Sequence, residues 1–342
     1  MPAAILGILA LIFSGIFLFT KNRDIQIPQS LKDSSIFKVN LVSTPFPFQE
    51  LTIPYLRTRE YKSNLGELTK YSEKANYTSY LTNYDSDGLK INGLLTIPKG
   101  DGPFPAIVFV HGYIAPTIYK TTEKYVEYVD YLAKNGFVVF KIDLRGHGDS
   151  EGEAGGAYYS GDYIIDTLNA YSALQNADFV NPEKIGLWGH SMAGNVTSKS
   201  FAAKPEIPAV VIWAGAGFTY TDLLTYRISD NSYRPPQQST ERARKRQELR
   251  DNYGEFDPNH EFWKKVAPSN YLNDLKGAIA LFHAVDDNVV SVEYSRNLNK
   301  LLDETDVDHE IHEYSSGGHN ITGSSFSQAM ASTVKFFSKY LK

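Results

Sequence analysis

The sequence predicts an α/β fold with a mostly parallel central sheet and helices on both faces. The first indication is a set of five short, almost wholly apolar runs, which are typical of parallel strands buried on both faces. These runs are AIVFV (106–110), FVVFKI (137–142), IGLW (185–188), AVVIW (209–213) and AIALFH (278–283). The second is that helical stretches lie between them, at 119–134 and 162–176. Alternating strands and helices predict a parallel sheet covered on both sides.

Composition limits the functions that such a fold could have. Of the 342 residues, 42% are hydrophobic, so the chain can bury a large core. The net charge of −5 gives no basic surface, and we expect no nucleic acid partner. The absence of cysteine excludes disulfides, thiolate catalysis and thiolate zinc sites. No H-E-x-x-H, P-loop or G-x-G-x-x-G motif occurs, so we expect neither a metal nor a cofactor.

The N-terminus differs from the rest of the chain. Residues 2–20 carry no charge over 19 positions, which is long enough for a helix to span a bilayer core. We interpret residues 1–20 as a membrane anchor, with a cleaved signal peptide as the alternative. Lys21 and Arg23 would keep the body cytoplasmic by the positive-inside rule, but large domains often translocate regardless of such charges. We leave the side of the membrane open, with the extracytoplasmic side preferred.

The rest of the chain divides into two parts. Residues 21–75 are expected to be a tether followed by an extended segment, because prolines such as Pro45, Pro47 and Pro54 interrupt any helical period. Residues 76–342 are expected to form the main domain. This domain opens with polar and apolar residues that alternate around Asp87 and Gly88, a pattern that predicts a β-hairpin.

Ser191 lies in the stretch KIGLWGHSMAGN, directly after a predicted strand and before a segment that can form a helix. A serine at such a sharp strand-to-helix turn is typical of a nucleophile elbow. Small neighbours are needed because the turn is strained and the backbones pass close together. The pattern is G-x-S-x-A rather than G-x-S-x-G, since Ala193 takes the last position and Gly194 follows it. A capping serine at an ordinary junction is the alternative.

A serine hydroxyl needs a histidine to take its proton and a carboxylate to orient that histidine. In this kind of fold the order along the chain is Ser, acid, His. Asp286 and Asp287 follow the last long apolar run, and His319 lies in a glycine-rich loop after the strand-like run EIHEY. His309 precedes that run and His312 lies within it, so both suit the role less well. His319 is therefore the candidate base.

Five motifs in this order are much more specific than any one of them. They are VFVHGY (108–113), DLRGHGDSEG (143–152), GHSMAG (189–194), HAVDDNVV (283–290) and GGH (317–319). With them the chain resembles the α/β-hydrolase superfamily, and within it the catalytic domain of the prolyl oligopeptidase family and its dienelactone-hydrolase-like relatives. The resemblance covers about residues 80–342.

The resemblance also implies which aspartate is the acid. The family pattern H-G-x-x-D-x-x-V-P places the acid at Asp287, although Ala284 and Ser291 replace the glycine and the proline. Asp286 remains the alternative, because Asp286 and Val289 also fit the shorter pattern D-x-x-V.

An oxyanion hole needs two backbone N–H donors. The resemblance assigns one to Met192, which follows the serine, and we place the other at Tyr113, in the loop after the strand VFVHG. In the DLRGHG motif, Arg145 and His147 are expected to anchor a structural turn rather than to bind a metal.

The resemblance implies a serine hydrolase that uses Ser191, His319 and Asp287 to cleave an ester or a peptide bond. We expect a small-molecule ester or a short peptide as substrate, and we keep peptidase and carboxylesterase as equal readings. Residues 217–268 are expected to form a helical cap over the site that sets substrate choice. A non-catalytic binding protein on this fold and an acyltransferase are the alternatives.

Overall fold

The computed structural model describes residues 46–228 and 240–342. The predicted anchor or signal at 1–20 and the tether up to residue 45 lie outside the described residues, as does part of the predicted cap. Within the described ranges, no helix is both long enough and apolar enough to cross a bilayer.

The described residues form a nine-stranded sheet with the strand order β1-β2-β3-β5-β4-β6-β7-β8-β9. Strands β1 to β3 are antiparallel and β3 also pairs antiparallel with β5, whereas all pairs from β5 through β4 to β9 are parallel. The strands are β1 Thr69–Glu73, β2 Tyr77–Ser86, β3 Leu89–Pro98, β4 Phe104–Val110, β5 Val138–Ile142, β6 Val180–His190, β7 Ala209–Trp213, β8 Ala278–Ala284 and β9 His309–Tyr314.

Helices connect these strands and cover both faces of the sheet. They are α1 Ile53–Thr58, α2 Val126–Lys134, α3 Asp162–Gln175, α4 Met192–Ala203, α5 Tyr220–Tyr226, α6 Thr240–Tyr253, α7 Glu261–Val266, α8 Glu293–Leu302 and α9 Ser324–Leu341. One face buries apolar residues of α3, α4 and α8, such as Leu168, Val196 and Leu298. The other buries residues of α2 and α9, such as Leu132 and Phe337. The predicted α/β-hydrolase architecture of a mostly parallel sheet between two helical layers is confirmed.

Each of the five apolar runs lies in a parallel strand, and the predicted hairpin joins β2 to β3. Asp87 and Gly88 have φ angles of 59° and 76° at its turn. Two consecutive residues with positive φ match the right-handed twist of the flanking strands. The register of the hairpin is therefore fixed by these two residues.

The helix predicted at 119–134 is shorter than expected, since only Val126–Lys134 is helical. Tyr125 has a φ of 58°, which no α-helix accommodates, and α2 begins after it. Before it, the Tyr119 hydroxyl and the Thr121 side chain donate hydrogen bonds to the buried carboxylate of Asp143. Tertiary contacts therefore hold this stretch out of the helix.

The extended conformation expected before the main domain does not hold for residues 53–58. Pro54 lies in the first turn of α1, where its missing N–H has no partner to lose. Ile53 and Leu56 are fully buried, and they pack into the same core as one face of the sheet. Pro54 therefore begins a helix rather than interrupting one.

The insert 217–268 is helical in its described part, with α5, α6 and α7. Its apolar side chains, such as Tyr220, Leu249 and Trp263, form a cluster with Leu51. Asn297 of α8 donates a hydrogen bond to Asp222 of the insert at 2.8 Å. The described part of the insert is thus bound to the N-terminal segment and to α8.

Candidate active site

The predicted site residues meet at one edge of the sheet. Ser191 follows β6, Asp287 lies beyond the end of β8, and His319 lies beyond the end of β9. Because these strands are parallel, their carboxyl ends share an edge, where ligands bind in open α/β sheets. Tyr113 follows β4 and joins the same edge.

Ser191 forms the strained turn that the sequence predicts. Its φ and ψ are 56° and −118°, and α4 begins at the next residue. A side chain is tolerated in this conformation only where the surroundings impose it. A Cβ atom on Gly189 would lie 2.8 Å from the carbonyl oxygen of Ala193, and one on Gly194 would lie 2.6 Å from Cα of Gly215. The small residues around Ser191 are therefore required by close backbone approach.

A chain of two hydrogen bonds links the three predicted side chains. His319 Nε2 lies 2.8 Å from Ser191 Oγ, and His319 Nδ1 lies 2.8 Å from Asp287 Oδ2. Asp286 does not contact His319 through its side chain; it accepts hydrogen bonds from the backbone N–H groups of Gly317 and Gly318. Of the two candidate aspartates, the geometry thus brings Asp287 to the histidine.

The Asp287 side chain is fully buried and saturated with donors. Its Oδ1 accepts hydrogen bonds from the backbone N–H groups of Val289 and Val290, and its Oδ2 also lies 3.2 Å from His283 Nε2. Burial alone would raise the pKa of Asp287, but the hydrogen bonds from His283 and His319 outweigh it and hold the pKa below its ordinary value. The carboxylate is thus ionised and fixed in orientation at neutral pH.

The other two candidate histidines lie elsewhere. His309 contacts Val307 and Asp303, and His312 contacts Glu310. Neither contacts Ser191 or Asp287 among these bonds. The structure therefore agrees with the choice of His319 made from its position in the sequence.

An open cavity of about 720 Å³ lies over Ser191 and His319. Aromatic and aliphatic side chains form much of its wall: Tyr113, Ile114, Ile118, Tyr125, Tyr128, Val289 and Phe326. Lys124 and Glu127 are its charged lining residues. The described residues of the insert 217–268 contribute none of the lining. In the described part of the chain the wall comes from the segment between β4 and α2, from α2 and α9, and from the loops that follow β8 and β9.

The two predicted oxyanion donors, Met192 and Tyr113, are both connected with the position of Ser191. Met192 is the first residue of α4, so its N–H has no acceptor within the helix. Tyr113 lines the cavity together with Ser191. Both positions are compatible with the predicted role, which remains a prediction.

The DLRGHG motif supports the cavity wall through a contact with the backbone of Ile114, which lines the cavity. Arg145 forms buried hydrogen bonds with Asp166, and the His147 ring contacts the carbonyl oxygen of Ile114 at 3.2 Å. The prediction of a structural turn is confirmed. Sequence reasoning missed Lys141, whose ammonium group is buried and donates to the Thr121 carbonyl at 2.6 Å. A lysine inside the apolar run FVVFKI was the available signal.

Lys141 and the buried carboxyl group of Asp143 form a charged pair. Burial shifts the pKa values of both groups in the direction that favours their neutral forms. It raises the pKa of Asp143 to about 6, against the opposing effect of Lys141, and lowers the pKa of Lys141 to about 8. Asp143 accepts hydrogen bonds from Tyr119 and Thr121, which lie in the stretch between β4 and α2. The pair thus holds the segment that carries the cavity wall.

Comparison with known proteins places this geometry in a family. The model of the prolyl oligopeptidase family matches residues 124–342, which is more than half of the chain. The matched region contains the serine, the aspartate and the histidine described above.

The proteins to which the chain is similar differ in their described activities. The chain is 33% identical over 130 residues to a thiohydrolase of Aspergillus aculeatus, covering 37% of this chain and 38% of that protein. It is 24% identical over 241 residues to the uncharacterized peptidase YtmA of Bacillus subtilis, covering 70% of this chain and 85% of that protein. Acetyl xylan esterase 1 from a Thermoanaerobacterium species superimposes with a TM-score of 0.59 at 21% identity, covering 85% of this chain and 94% of the esterase.

The family match, the α/β-hydrolase sheet and the Ser191 elbow all agree. This chain belongs to the prolyl oligopeptidase family of serine hydrolases.

Proposed function

We propose that this protein hydrolyses acyl compounds through a Ser191–His319–Asp287 triad. The observation that supports it most is the continuous hydrogen-bonded chain from Asp287 through His319 to Ser191 at the floor of an open cavity. His319 Nε2 takes the proton of Ser191 Oγ as that oxygen attacks the acyl carbonyl. The Asp287 carboxylate holds the imidazole in the required tautomer and stabilises its positive charge.

The remaining steps follow from the same three groups. The tetrahedral intermediate places its oxyanion near the N–H groups of Met192 and Tyr113, the proposed oxyanion donors. His319 then gives its proton to the departing alcohol or amine, which leaves an acyl group on Ser191. A water molecule loses a proton to His319 and attacks this ester, and the acid departs as Ser191 regains its proton.

We propose an ester of a small molecule as the first substrate class to test, with a short peptide amide as the second. The cavity is walled by aromatic and aliphatic side chains and is open to solvent, which suits an apolar acyl or alcohol group. The chain is also similar to a protein described as an uncharacterized peptidase, YtmA, and this supports the amide as second candidate.

The first experiment is labelling of the full-length protein with a fluorophosphonate probe, which reacts with activated serines. We expect wild type to label and Ser191→Ala not to label. Ser198→Ala is the matched control, because Ser198 is a buried serine of the helix that follows Ser191 and its hydroxyl donates to the Asn195 carbonyl. Unlabelled wild-type protein is then assayed with p-nitrophenyl esters and aminoacyl arylamides.

Two outcomes would redirect this proposal. A folded wild-type protein that does not label would contradict an activated serine and favour a binding protein on this fold. Product analysis with an added alcohol distinguishes water from another acceptor: acyl transfer to the alcohol in preference to water would favour an acyltransferase.

A further inference from the structure

His190, which precedes the candidate nucleophile, belongs to a buried chain of hydrogen bonds that the proposed mechanism does not use. Its Nε2 lies 2.8 Å from the carbonyl oxygen of His319, and its Nδ1 lies 2.7 Å from Oη of Tyr125. Tyr125 Oη in turn accepts a hydrogen bond of 2.9 Å from the backbone N–H of Gly112. The chain therefore runs from the loop of the base to the loop that carries Tyr113.

Only one set of proton positions satisfies every group in this chain. The His319 carbonyl can only accept, so His190 must carry its proton on Nε2. Nδ1 of His190 is then an acceptor, and the Tyr125 hydroxyl must donate to it. The Gly112 N–H can only donate, and it finds the remaining lone pair of Tyr125 Oη. Each donor thus has one acceptor, and the direction of the chain is fixed.

The surroundings keep both side chains in these states. Burial, with a smaller effect of His319, lowers the pKa of His190 to about 3, so the ring is neutral over the range in which a serine hydrolase works. Burial also raises the pKa of Tyr125, so its hydroxyl remains a donor. The direction of this chain of hydrogen bonds therefore stays the same while His319 gains and loses a proton.

The space around Gly112 is a separate indication that the hydrogen bonds of His190 and Tyr125 constrain the loop that carries Gly112 and Tyr113. A Cβ atom at Gly112 would lie 2.7 Å from Tyr125 Oη and 2.9 Å from Nδ1 of His190. These distances are too short for any side chain, so the glycine of the HGY motif is needed for the loop to approach both groups. The ring of His190 also lies 4.7 Å, centroid to centroid, from that of His319.

We infer that Tyr125 and His190 are positioning residues that hold the backbone of His319 and the Gly112–Tyr113 loop in place relative to Ser191. This inference rests on the proposed function, because it assigns the two loops to the base and to the oxyanion donor. Neither side chain is a reacting group. Their effect is on the alignment of groups that act in the transition state, where small displacements are costly.

The test compares Tyr125→Phe with wild type on an ester that wild type cleaves. The variant removes one oxygen and leaves the Gly112 N–H and His190 Nδ1 without their partner. We expect kcat to fall about 10- to 100-fold while KM stays within about twofold. Inhibition by phenylboronic acid, which forms a tetrahedral adduct with an activated serine, should weaken by a similar factor.

Tyr77→Phe is the matched control. Tyr77 is a buried tyrosine whose hydroxyl bonds to Asp130 on helix α2, the helix that Tyr125 precedes, and it does not line the cavity. We expect its kcat, its KM and its inhibition by phenylboronic acid to equal those of wild type. A purely structural role for Tyr125 would lower the unfolding midpoint and leave kcat and inhibition of the folded protein unchanged, and that result would overturn the inference.

A second variant, His190→Gln, and the double variant complete the test. If both residues act through one chain, the double variant should lose no more activity than the worse single variant. Independent, multiplicative losses would contradict the inference. Failure of wild type to label with the fluorophosphonate probe would instead contradict the proposed function, so the two failures can be told apart.

Discussion

Asp287 and His319 are joined by a 2.8 Å hydrogen bond from Nδ1 to Oδ2, although the adjacent Asp286 also fits a shorter sequence pattern. Asp286 instead accepts hydrogen bonds from the backbone N–H groups of the two glycines that precede His319. Two neighbouring carboxylates thus have different tasks: one contacts the imidazole and the other supports its loop.

Asp287→Asn should lower kcat/KM by about 10³- to 10⁴-fold. An amide can donate to Nδ1 of His319 and so favour the tautomer that cannot accept the Ser191 proton. Asp286→Asn keeps one acceptor oxygen and loses the other, so one of the two glycine N–H groups loses its partner; since the Asp286 side chain is not bonded to His319, we expect a loss of less than about tenfold. The measurement is kcat/KM of both variants on one ester. Equal losses in the two variants would contradict the assignment of Asp287 as the acid of the triad.

Gly194→Ala should destabilise the elbow by about 1–3 kcal/mol, because the new Cβ would lie 2.6 Å from Cα of Gly215 and the backbone would have to move. Gly88→Asn is the control: nothing lies within 4 Å of its Cβ, and asparagine tolerates the positive φ of this turn. Urea unfolding measures both. A Gly194→Ala protein as stable as wild type would show that the close approach is not required.

The buried carboxyl of Asp143 should make stability depend on pH. Burial raises its pKa from 3.8 to about 6, so between these values the folded protein binds this proton more tightly than the unfolded chain. Its contribution to the free energy of unfolding therefore falls as the pH rises through this window.

In Asp143→Asn that contribution is absent. The difference in the free energy of unfolding between wild type and variant should shrink by up to about 3 kcal/mol from about pH 3.5 to about pH 7, at 1.36 kcal/mol per pKa unit. Urea unfolding of both proteins at the two pH values is the measurement. A difference that does not change with pH would refute the raised pKa.

Ile118→Asp should discriminate against long apolar acyl groups. Ile118 lines the cavity, and 64% of its surface is exposed. Loss of its apolar contact should raise KM for a p-nitrophenyl octanoate about tenfold and leave the acetate ester nearly unchanged. Tyr71→Asp is the control, because it also replaces an exposed hydrophobic side chain with an acidic one, but on β1. Equal effects on both esters would place the acyl group elsewhere.

The sequence by itself determined the order of elements and indicated Ser191 as the candidate nucleophile. Apolar runs such as 209–213 predict buried strands because a parallel sheet covered on both faces leaves no solvent-exposed face. The turn at Ser191 is equally local, since the small residues around it are consecutive along the chain. His319 could be selected because the order of triad residues follows the order of the strands.

Tertiary structure decided what depends on contacts between distant segments. Only the fold distinguishes Asp287 from Asp286, because the choice rests on which carboxylate turns towards a loop 32 residues away. The sequence also did not indicate where α2 begins, since Tyr119 and Thr121 are held by Asp143, which follows β5. The link between His190 and Tyr125 has no local signature either. Hydrogen bonds between groups far apart in sequence leave no periodic pattern, whereas burial along one strand does.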